Sequence, residues 1–222
     1  GCGPLPREGA AFVYFGGRGA FDTARDGSLL GSQADGRMGN SVAGAGDVNG
    51  DGFADLIVGA PYFDNAQTDE GAAFVYFGGV GALLQADGTL EANQAGAKMG
   101  ASVAEADDVN GDGFSDVIVG APYYDNGQTD EGAAFVYFGG PISLDTTFDA
   151  RLENNQPNEQ MGWSVAGAGD VNGDGYADVI VGAPMSDFLA FNSDDYGAAF
   201  IYLGGPGAFD TTRDKWLFGN QS

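Results

Sequence analysis

Three nearly identical acidic segments recur at an almost constant interval, and they restrict the possible folds more than any other feature. They read Asp-Val-Asn-Gly-Asp-Gly followed by Phe-Ala-Asp at 47–55, Phe-Ser-Asp at 108–116 and Tyr-Ala-Asp at 170–178. Each is preceded by a Met-Gly pair and followed by an apolar run that ends in Gly-Ala-Pro. Self-similarity at such a long period is typical of a repeat architecture in which each unit packs on the next.

Each repeat unit carries short apolar segments that are typical of β-strands. Residues 41–46 are small, 56–58 form an apolar run without polar alternation, and 73–77 are rich in aromatic and β-branched residues. A weaker strand is expected around Leu90. An apolar run without alternation indicates a strand buried on both faces. We therefore expect an all-β fold, with β-propeller blades of four antiparallel strands and essentially no helix. A β-solenoid is the alternative, although its coils are usually shorter.

The repeat covers nearly the whole chain, so we expect one continuous array and no separate domains. Its boundaries place a half blade at 9–33 and full blades at 34–95, 96–157 and 158–222. This makes about 3.5 blades, fewer than the roughly four that a closed propeller needs. We therefore expect the rest of the ring to come from a longer chain or from oligomeric assembly.

The acidic segments have the spacing of a loop that binds a hard cation. Positions 1, 3, 5 and 9 carry side-chain oxygens, position 6 is a glycine that permits a sharp turn, and position 7 offers its backbone carbonyl. Ca²⁺ prefers roughly six to eight oxygen ligands, and carboxylates this close together repel one another without a cation. We predict three Ca²⁺ sites. Their ligands are Asp47, Asn49, Asp51, Phe53, Asp55, Asp108, Asn110, Asp112, Phe114, Asp116, Asp170, Asn172, Asp174, Tyr176 and Asp178.

These loops differ from the EF-hand, which needs a bidentate Glu at position 12 and flanking helices. Position 12 is occupied here by Val58, Val119 and Val181, each inside an expected strand. The alternative to a metal site is a solvated Asx turn. Three near-identical copies at a fixed period favour the metal site.

Composition excludes several classes of function. The chain has 222 residues, no His and one Cys, which rules out Ser-His-Asp or Cys-His catalysis, internal disulfides and His- or Cys-ligated zinc. Its 8 Lys and Arg are scattered singly against 32 Asp and Glu, giving a formal net charge of −24. Nucleic acids require clustered positive charge, so they are poor partners. No apolar stretch is long enough for membrane insertion.

The acidic residues outside the predicted metal loops also recur in register. Asp64, Asp69 and Glu70 have counterparts at 125, 130 and 131, and we expect all of them in solvated acidic loops. An active site would be present once, whereas these residues recur from unit to unit. We therefore expect a non-enzymatic protein.

The motif order resembles the FG-GAP repeats of integrin α-subunit propellers and their bacterial relatives. The order runs from Met-Gly through Ser-Val, the acidic segment and Gly-Ala-Pro to Phe-Val-Tyr-Phe-Gly-Gly, with Met38, Met99 and Met161 at the position of the family's Phe. The resemblance implies a seven-bladed ring, and a calcium loop between the first and second strands of each blade. It also implies an extracellular or cell-surface adhesion module that binds a protein or glycan ligand. The alternative function is a carbohydrate-binding or accessory domain of a secreted enzyme.

We expect a partner on the face opposite the acidic loops, where the second and third strands connect. This connection has nine residues in two units, 62–70 and 123–131, but twelve in the third, 185–196. The longer loop also replaces polar residues with apolar ones, and clustered apolar side chains on a surface loop often mark contacts. Packing of this loop on its own or a neighbouring blade is the alternative. The predicted partner-binding residues are Met185, Phe188, Leu189 and Phe191.

Overall fold

Fourteen short strands make up the computed structural model, which describes residues 6–16, 23–80, 86–141, 144–186 and 197–218. The first two strands pair as an antiparallel ribbon. They are β1 (Ala10–Val13) and β2 (Gly27–Leu30).

The other twelve strands form three four-stranded antiparallel sheets, in which neighbours in space are neighbours in sequence. The first sheet contains β3 (Ser41–Gly46), β4 (Asp55–Ala60), β5 (Ala72–Tyr76) and β6 (Gly88–Glu91). The second contains β7 (Ser102–Asp107), β8 (Asp116–Ala121), β9 (Ala133–Tyr137) and β10 (Ala150–Leu152). The third contains β11 (Ser164–Gly169), β12 (Asp178–Ala183), β13 (Ala198–Tyr202) and β14 (Lys215–Phe218).

This arrangement confirms the predicted all-β fold of propeller-type blades. No helix occurs in the part of the chain that the structure describes. Within the same residues, there is accordingly no helix that could cross a membrane. The number of blades in a closed ring and the blade boundaries stay predictions.

The core lies between successive sheets. Ile57 and Val75 of the first sheet pack with Val117 and Val119 of the second. Every residue of β8 is buried, because sheets cover this strand on both sides. After its first residue, which is an Asp, the second strand of each blade is therefore apolar, and it lacks the alternation of a strand with one solvated face.

The backbone itself sets the distance between neighbouring sheets. The Met-Gly pair that precedes β7 lies against β4, and a Cβ on Gly59 would be 2.0 Å from the carbonyl oxygen of Gly100. One unit further on, a Cβ on Gly120 would be 1.9 Å from the carbonyl oxygen of Gly162. The glycine of Gly-Ala-Pro is thus required because the next unit approaches too closely for any side chain.

A second link between units runs beside this contact. Met99 donates its backbone N–H to the carbonyl of Glu70 at 3.0 Å, and Gly71 and Met99 form a parallel bridge. Met38, Met99 and Met161 are all buried. The tyrosine hydroxyl of Tyr137 lies 3.9 Å from the sulfur of Met99. The three methionines therefore form part of the packing between units.

The contact at Gly120 predicts a large effect from a single methyl group. Gly120→Ala forces a Cβ against the backbone of the next sheet, and we expect it to lower the free energy of unfolding by at least about 1–3 kcal/mol. The matched control is Gly182→Ala, at the same motif position in the third unit. A Cβ there meets only Ser164, at ordinary van der Waals distances of 3.5 Å and more. Denaturant unfolding measures both variants, and equal stability of the two would contradict this account.

Candidate metal-binding loops

The acidic segments form the connection between the first and second strands in each sheet. The loop between β3 and β4 begins at a β-bulge, where the strand pairing shifts register between Gly44 and Gly46. Corresponding register shifts occur before the other two loops. A bulge bends its strand locally, so the same irregularity precedes all three loops.

Within the first loop, side-chain oxygens accept hydrogen bonds from the loop backbone. Asp47 accepts from the N–H of Asp51 at 3.0 Å and of Gly52 at 2.9 Å. The side-chain oxygen of Asn49 also accepts from the N–H of Asp51, at 2.9 Å. Asp51 in turn accepts from the N–H of Phe53 at 2.9 Å. These bonds wind the loop tightly, and the second and third loops repeat all four of them.

The Asp at position 9 is placed differently from the other acidic residues of the loop. Asp55 is completely buried, and its two carboxylate oxygens accept from the backbone N–H groups of Val48 at 2.9 Å and Gly78 at 2.7 Å. It therefore ties the loop to the segment after the third strand. Asp116 and Asp178 bind the equivalent pairs, which are Val109 and Gly139, and Val171 and Gly204.

Successive loops also stack on one another. A Cβ on Gly50 would lie 2.5 Å from the ring of Phe114, and a Cβ on Gly111 would lie 2.4 Å from the ring of Tyr176. The aromatic residue at position 7 of one loop thus covers the glycine at position 4 of the loop before it. The backbone N–H of Ser115 also donates to the carbonyl of Asp47 at 3.2 Å.

Burial and local charge change the acidity of the loop carboxyls. Burial is the main cause that raises the pKa of Asp116 to about 7, and the negative charges of Asp112 and Asp108 act in the same direction. The exposed Asp170 shows the opposite effect, since hydrogen bonds led by the N–H of Gly175 lower its pKa. A cation beside the buried carboxyl would favour its charged form.

The donor set of each loop fits a hard cation, because every predicted ligand offers oxygen. Asp51 is exposed, Asp47 and Asn49 are half-buried, and Asp55 lies beneath them. The structure does not gather three or more Asp, Glu, Cys or His side chains into a metal-binding group anywhere among the described residues. The metal sites and their ligands therefore stay predictions.

The opposite face carries the connections between second and third strands, and it corrects one expectation. Glu70 and Glu131 are not solvated, because both are completely buried. One carboxylate oxygen of Glu70 accepts from the N–H groups of Asn65 at 2.6 Å and Ala66 at 2.8 Å, which closes the loop on itself. The backbone N–H of Asn126 donates to Glu131 in the same way. Both residues stand in polar stretches of the sequence, so their burial could not be predicted from the neighbouring residues.

The longer connection of the third unit is described only at its start. Met185 is 42% exposed, as expected of a residue on this surface. Phe188, Leu189 and Phe191 lie outside the described residues, so their part in partner binding stays a prediction.

A buried polar cluster beside this connection was missed from the sequence. Glu159 is 1% exposed and accepts from the hydroxyl of Ser186 at 2.5 Å and from the amide of Asn154 at 2.9 Å. The other units have Gly36 and Ala97 at the position of Glu159. This departure from the repeat is the one sequence feature that could have indicated a distinct environment for Glu159. The third unit is thus polar where its neighbours are apolar.

Blade-like antiparallel sheets joined by Asp-rich first connections define a protein of the β-propeller repeat class. The family model described as "FG-GAP repeat" matches residues 38–76, 99–137 and 161–202, which is more than half of the chain. The chain therefore belongs to the FG-GAP repeat family.

Several integrin α-subunits are similar in sequence. Integrin alpha-4 of Xenopus laevis is 36% identical over 148 residues, which are 64% of this chain and 14% of that protein. Human integrin alpha-7 is 34% identical over 167 residues, 74% of this chain and 14% of that protein. Human integrin alpha-IIb is 35% identical over 165 residues, 70% of this chain and 15% of that protein. The chain spans only a small part of the length of these relatives.

The burial of the position-9 carboxylates predicts a structural effect that does not depend on metal. In the presence of a chelator, Asp55→Ala should lower the free energy of unfolding by about 2–4 kcal/mol, because two N–H groups beneath the loop lose their acceptor. Asp51→Ala removes an exposed carboxylate and should lower the free energy of unfolding by less than about 1 kcal/mol. Urea unfolding compares the two. Equal losses would show that Asp55 is not the anchor of the loop.

The cluster around Glu159 predicts a pH dependence. Burial raises the pKa of Glu159 above 4.5, against the lowering effects of Ser186, Asn154 and Arg213, while Glu131 adds to the increase. The folded chain thus binds this proton more tightly than the unfolded chain does. The resulting stabilisation is complete below pH 4.5 and is lost as pH rises through the folded-state value.

Glu159→Gln removes this titration, so the free energy of unfolding of the variant should fall less between pH 4.5 and neutrality than that of the unchanged chain. Denaturant unfolding at a series of pH values, with chelator present, measures the difference. Asp35→Asn removes an exposed carboxylate and serves as the control. Identical pH profiles for Glu159→Gln and the unchanged chain would contradict the assignment.

Proposed function

We propose that this chain is part of a calcium-stabilised, extracellular β-propeller that binds a ligand in adhesion and has no catalytic activity. The observation that supports this best is the threefold recurrence of one oxygen-rich loop at the same place in three sheets. Asp47, Asp108 and Asp170 each accept hydrogen bonds from N–H groups four and five residues further on, which winds all three loops alike.

Calcium is the proposed ion because of the chemistry of the donors. Carboxylate, amide and carbonyl oxygens suit a hard cation, and Ca²⁺ accepts a large and irregular set of oxygens. The chain has no disulfide framework, since Cys2 is its only cysteine. An ion that binds the folded loops but not the unfolded chain adds its binding free energy to stability. The proposed role of the metal is thus to hold the first and second strands of each blade together.

Ligand binding is favoured over catalysis because the acidic residues recur in equivalent positions. Their shared roles in the three units, as loop-winding and buried anchor residues, are structural. The family membership supports adhesion, since the similar proteins are integrin α-subunits. The sequence resemblance to integrin propellers also supports an extracellular or cell-surface location. Protein and glycan ligands are both compatible with these observations.

The calcium proposal predicts three equivalent binding events and a stabilised fold. Free calcium at 100 times its dissociation constant should add about 2.7 kcal/mol per independent site. Titration calorimetry on chelator-treated protein measures the stoichiometry, and thermal unfolding with and without calcium measures the stabilisation. Asp112→Ala should abolish one site and leave two, because only the second loop loses a ligand.

Two results would contradict this proposal. The first is a melting temperature that calcium does not change. The second is a stoichiometry that Asp112→Ala leaves unaltered. Magnesium at the same concentration serves as the control ion, because it requires a stricter octahedral geometry and dehydrates reluctantly.

A further inference from the structure

A row of alternating cations and aromatic rings crosses the face opposite the acidic loops. The guanidinium of Arg37 lies 4.1 Å from the ring centre of Tyr62, and the ammonium of Lys98 lies 5.2 Å from the same ring. Lys98 also lies 4.2 Å from the ring of Tyr123, which meets Trp163 edge-on at 6.4 Å. We name these five residues the cation–aromatic row.

The repeat itself places these residues side by side. Arg37 and Lys98 each precede a Met-Gly pair and adopt left-handed backbone angles, with φ of 54° and 53°. Tyr62 and Tyr123 each follow a Gly-Ala-Pro segment at the end of a second strand. Arg37 and Lys98 each contact the tyrosine of their own unit. Since the Met-Gly turn of one unit packs on the Gly-Ala-Pro strand of the unit before it, Lys98 also approaches Tyr62 of the preceding unit. Trp163 belongs to the third unit and is 50% exposed.

The charge of this surface is unlike that of the whole chain. The row lines a cleft of about 270 Å³ whose other described lining residues are Asn40, Pro61, Ala101 and Pro122. No Asp or Glu is among these lining residues, although the chain has 32 acidic and only 8 basic residues. Within the described part of the chain, the ion pairs found involve Arg7 and Arg151 and neither cation of the row.

The two cations line the same cleft and are close enough to engage one short ligand segment. Both contact the ring of Tyr62, so their separation cannot exceed the sum of their distances to its centre. In an extended peptide, side chains at positions i and i+2 lie on the same face, about 7 Å apart. Two carboxylates at that spacing match two cations that contact the same ring.

We propose that the cation–aromatic row binds an extended acidic segment of a partner protein, with Asp or Glu at positions i and i+2. This inference specifies the ligand class of the proposed function and rests on its ligand-binding part, not on calcium. Arg37 and Lys98 bind the two carboxylates, while Tyr62, Tyr123 and Trp163 provide the apolar floor. Tyr, Trp and Arg are the residues that most often dominate protein–protein binding energy.

A peptide is favoured over an acidic polysaccharide by the packing of the rings. Stacking of sugar rings needs open aromatic faces, whereas Tyr62 and Tyr123 are already in contact with Arg37 and Lys98. These contacts hold the charged groups in place, so less side-chain entropy is lost when a carboxylate binds. A charge-assisted hydrogen bond is also stronger than a neutral one.

The probe is the fluorescein-labelled peptide Gly-Thr-Asp-Thr-Asp-Thr-Gly, titrated with the full chain in calcium-containing buffer of physiological ionic strength. Fluorescence anisotropy should show saturable binding. The same peptide with Asn in place of both Asp should bind at least about tenfold more weakly, because it lacks both charges. This comparison uses the unchanged protein and does not depend on the folding of any variant.

The protein variant Arg37→Gln/Lys98→Gln should weaken binding of the Asp peptide at least about tenfold. The matched control is Arg25→Gln/Lys215→Gln, which removes one Arg and one Lys from other exposed sites and should leave the affinity within about twofold. Melting temperatures of both variants verify that the fold is retained.

Four outcomes would overturn the inference. They are absence of peptide binding, equal binding of the Asp and Asn peptides, equal losses in the two double variants, and tighter binding of oligogalacturonate than of the Asp peptide. A chain that binds three calcium ions but not the peptide would refute this inference alone. Peptide binding by a chain that takes up no calcium would refute only the calcium proposal.

Discussion

The contact between the backbone of one sheet and the glycine of the preceding sheet is the constraint on which the other features depend. A four-stranded sheet with an apolar second strand is stable only when both of its faces are covered. In this chain the next unit provides the cover, and Gly59 and Gly120 allow its backbone to approach without a side chain in between. The apolar core, the stacked acidic loops and the cation–aromatic row all form across this same boundary between units.

Much of the fold could be predicted because its signals are local and repeated. The period, the apolar second strands and the turn residues are visible in a single unit, and the three copies confirm one another. The position of the acidic loops could be predicted for the same reason, because Asp and Asn at alternate positions before a strand indicate a tight, oxygen-rich loop. The anchor role of Asp55 was less visible, because one of its two partners, Gly78, is 23 residues away.

The features that the sequence did not reveal depend on contacts between units or on burial of polar groups. Glu70 lies in a polar stretch, and only the folded loop shows that its backbone N–H groups surround the carboxylate. Lys98 and Tyr62 are 36 positions apart in different units, so no local pattern joins them. Glu159 was detectable only as a departure from the repeat, and its partner Ser186 replaces an aromatic residue of the other units.

Because of the backbone contact at the Gly-Ala-Pro glycines, the spacing between sheets does not depend on which side chains the connections carry. Since main-chain atoms set the distance between sheets, side chains in the connections can be exchanged without moving the neighbouring units. The two faces of the array have used this freedom differently: the acidic loops are almost uniform, whereas the opposite connections differ in length, charge and polarity. The spacing between sheets therefore stays constant along the array. The acidic loops recur on one face, and the connections on the other face are free to acquire a different sequence in each unit.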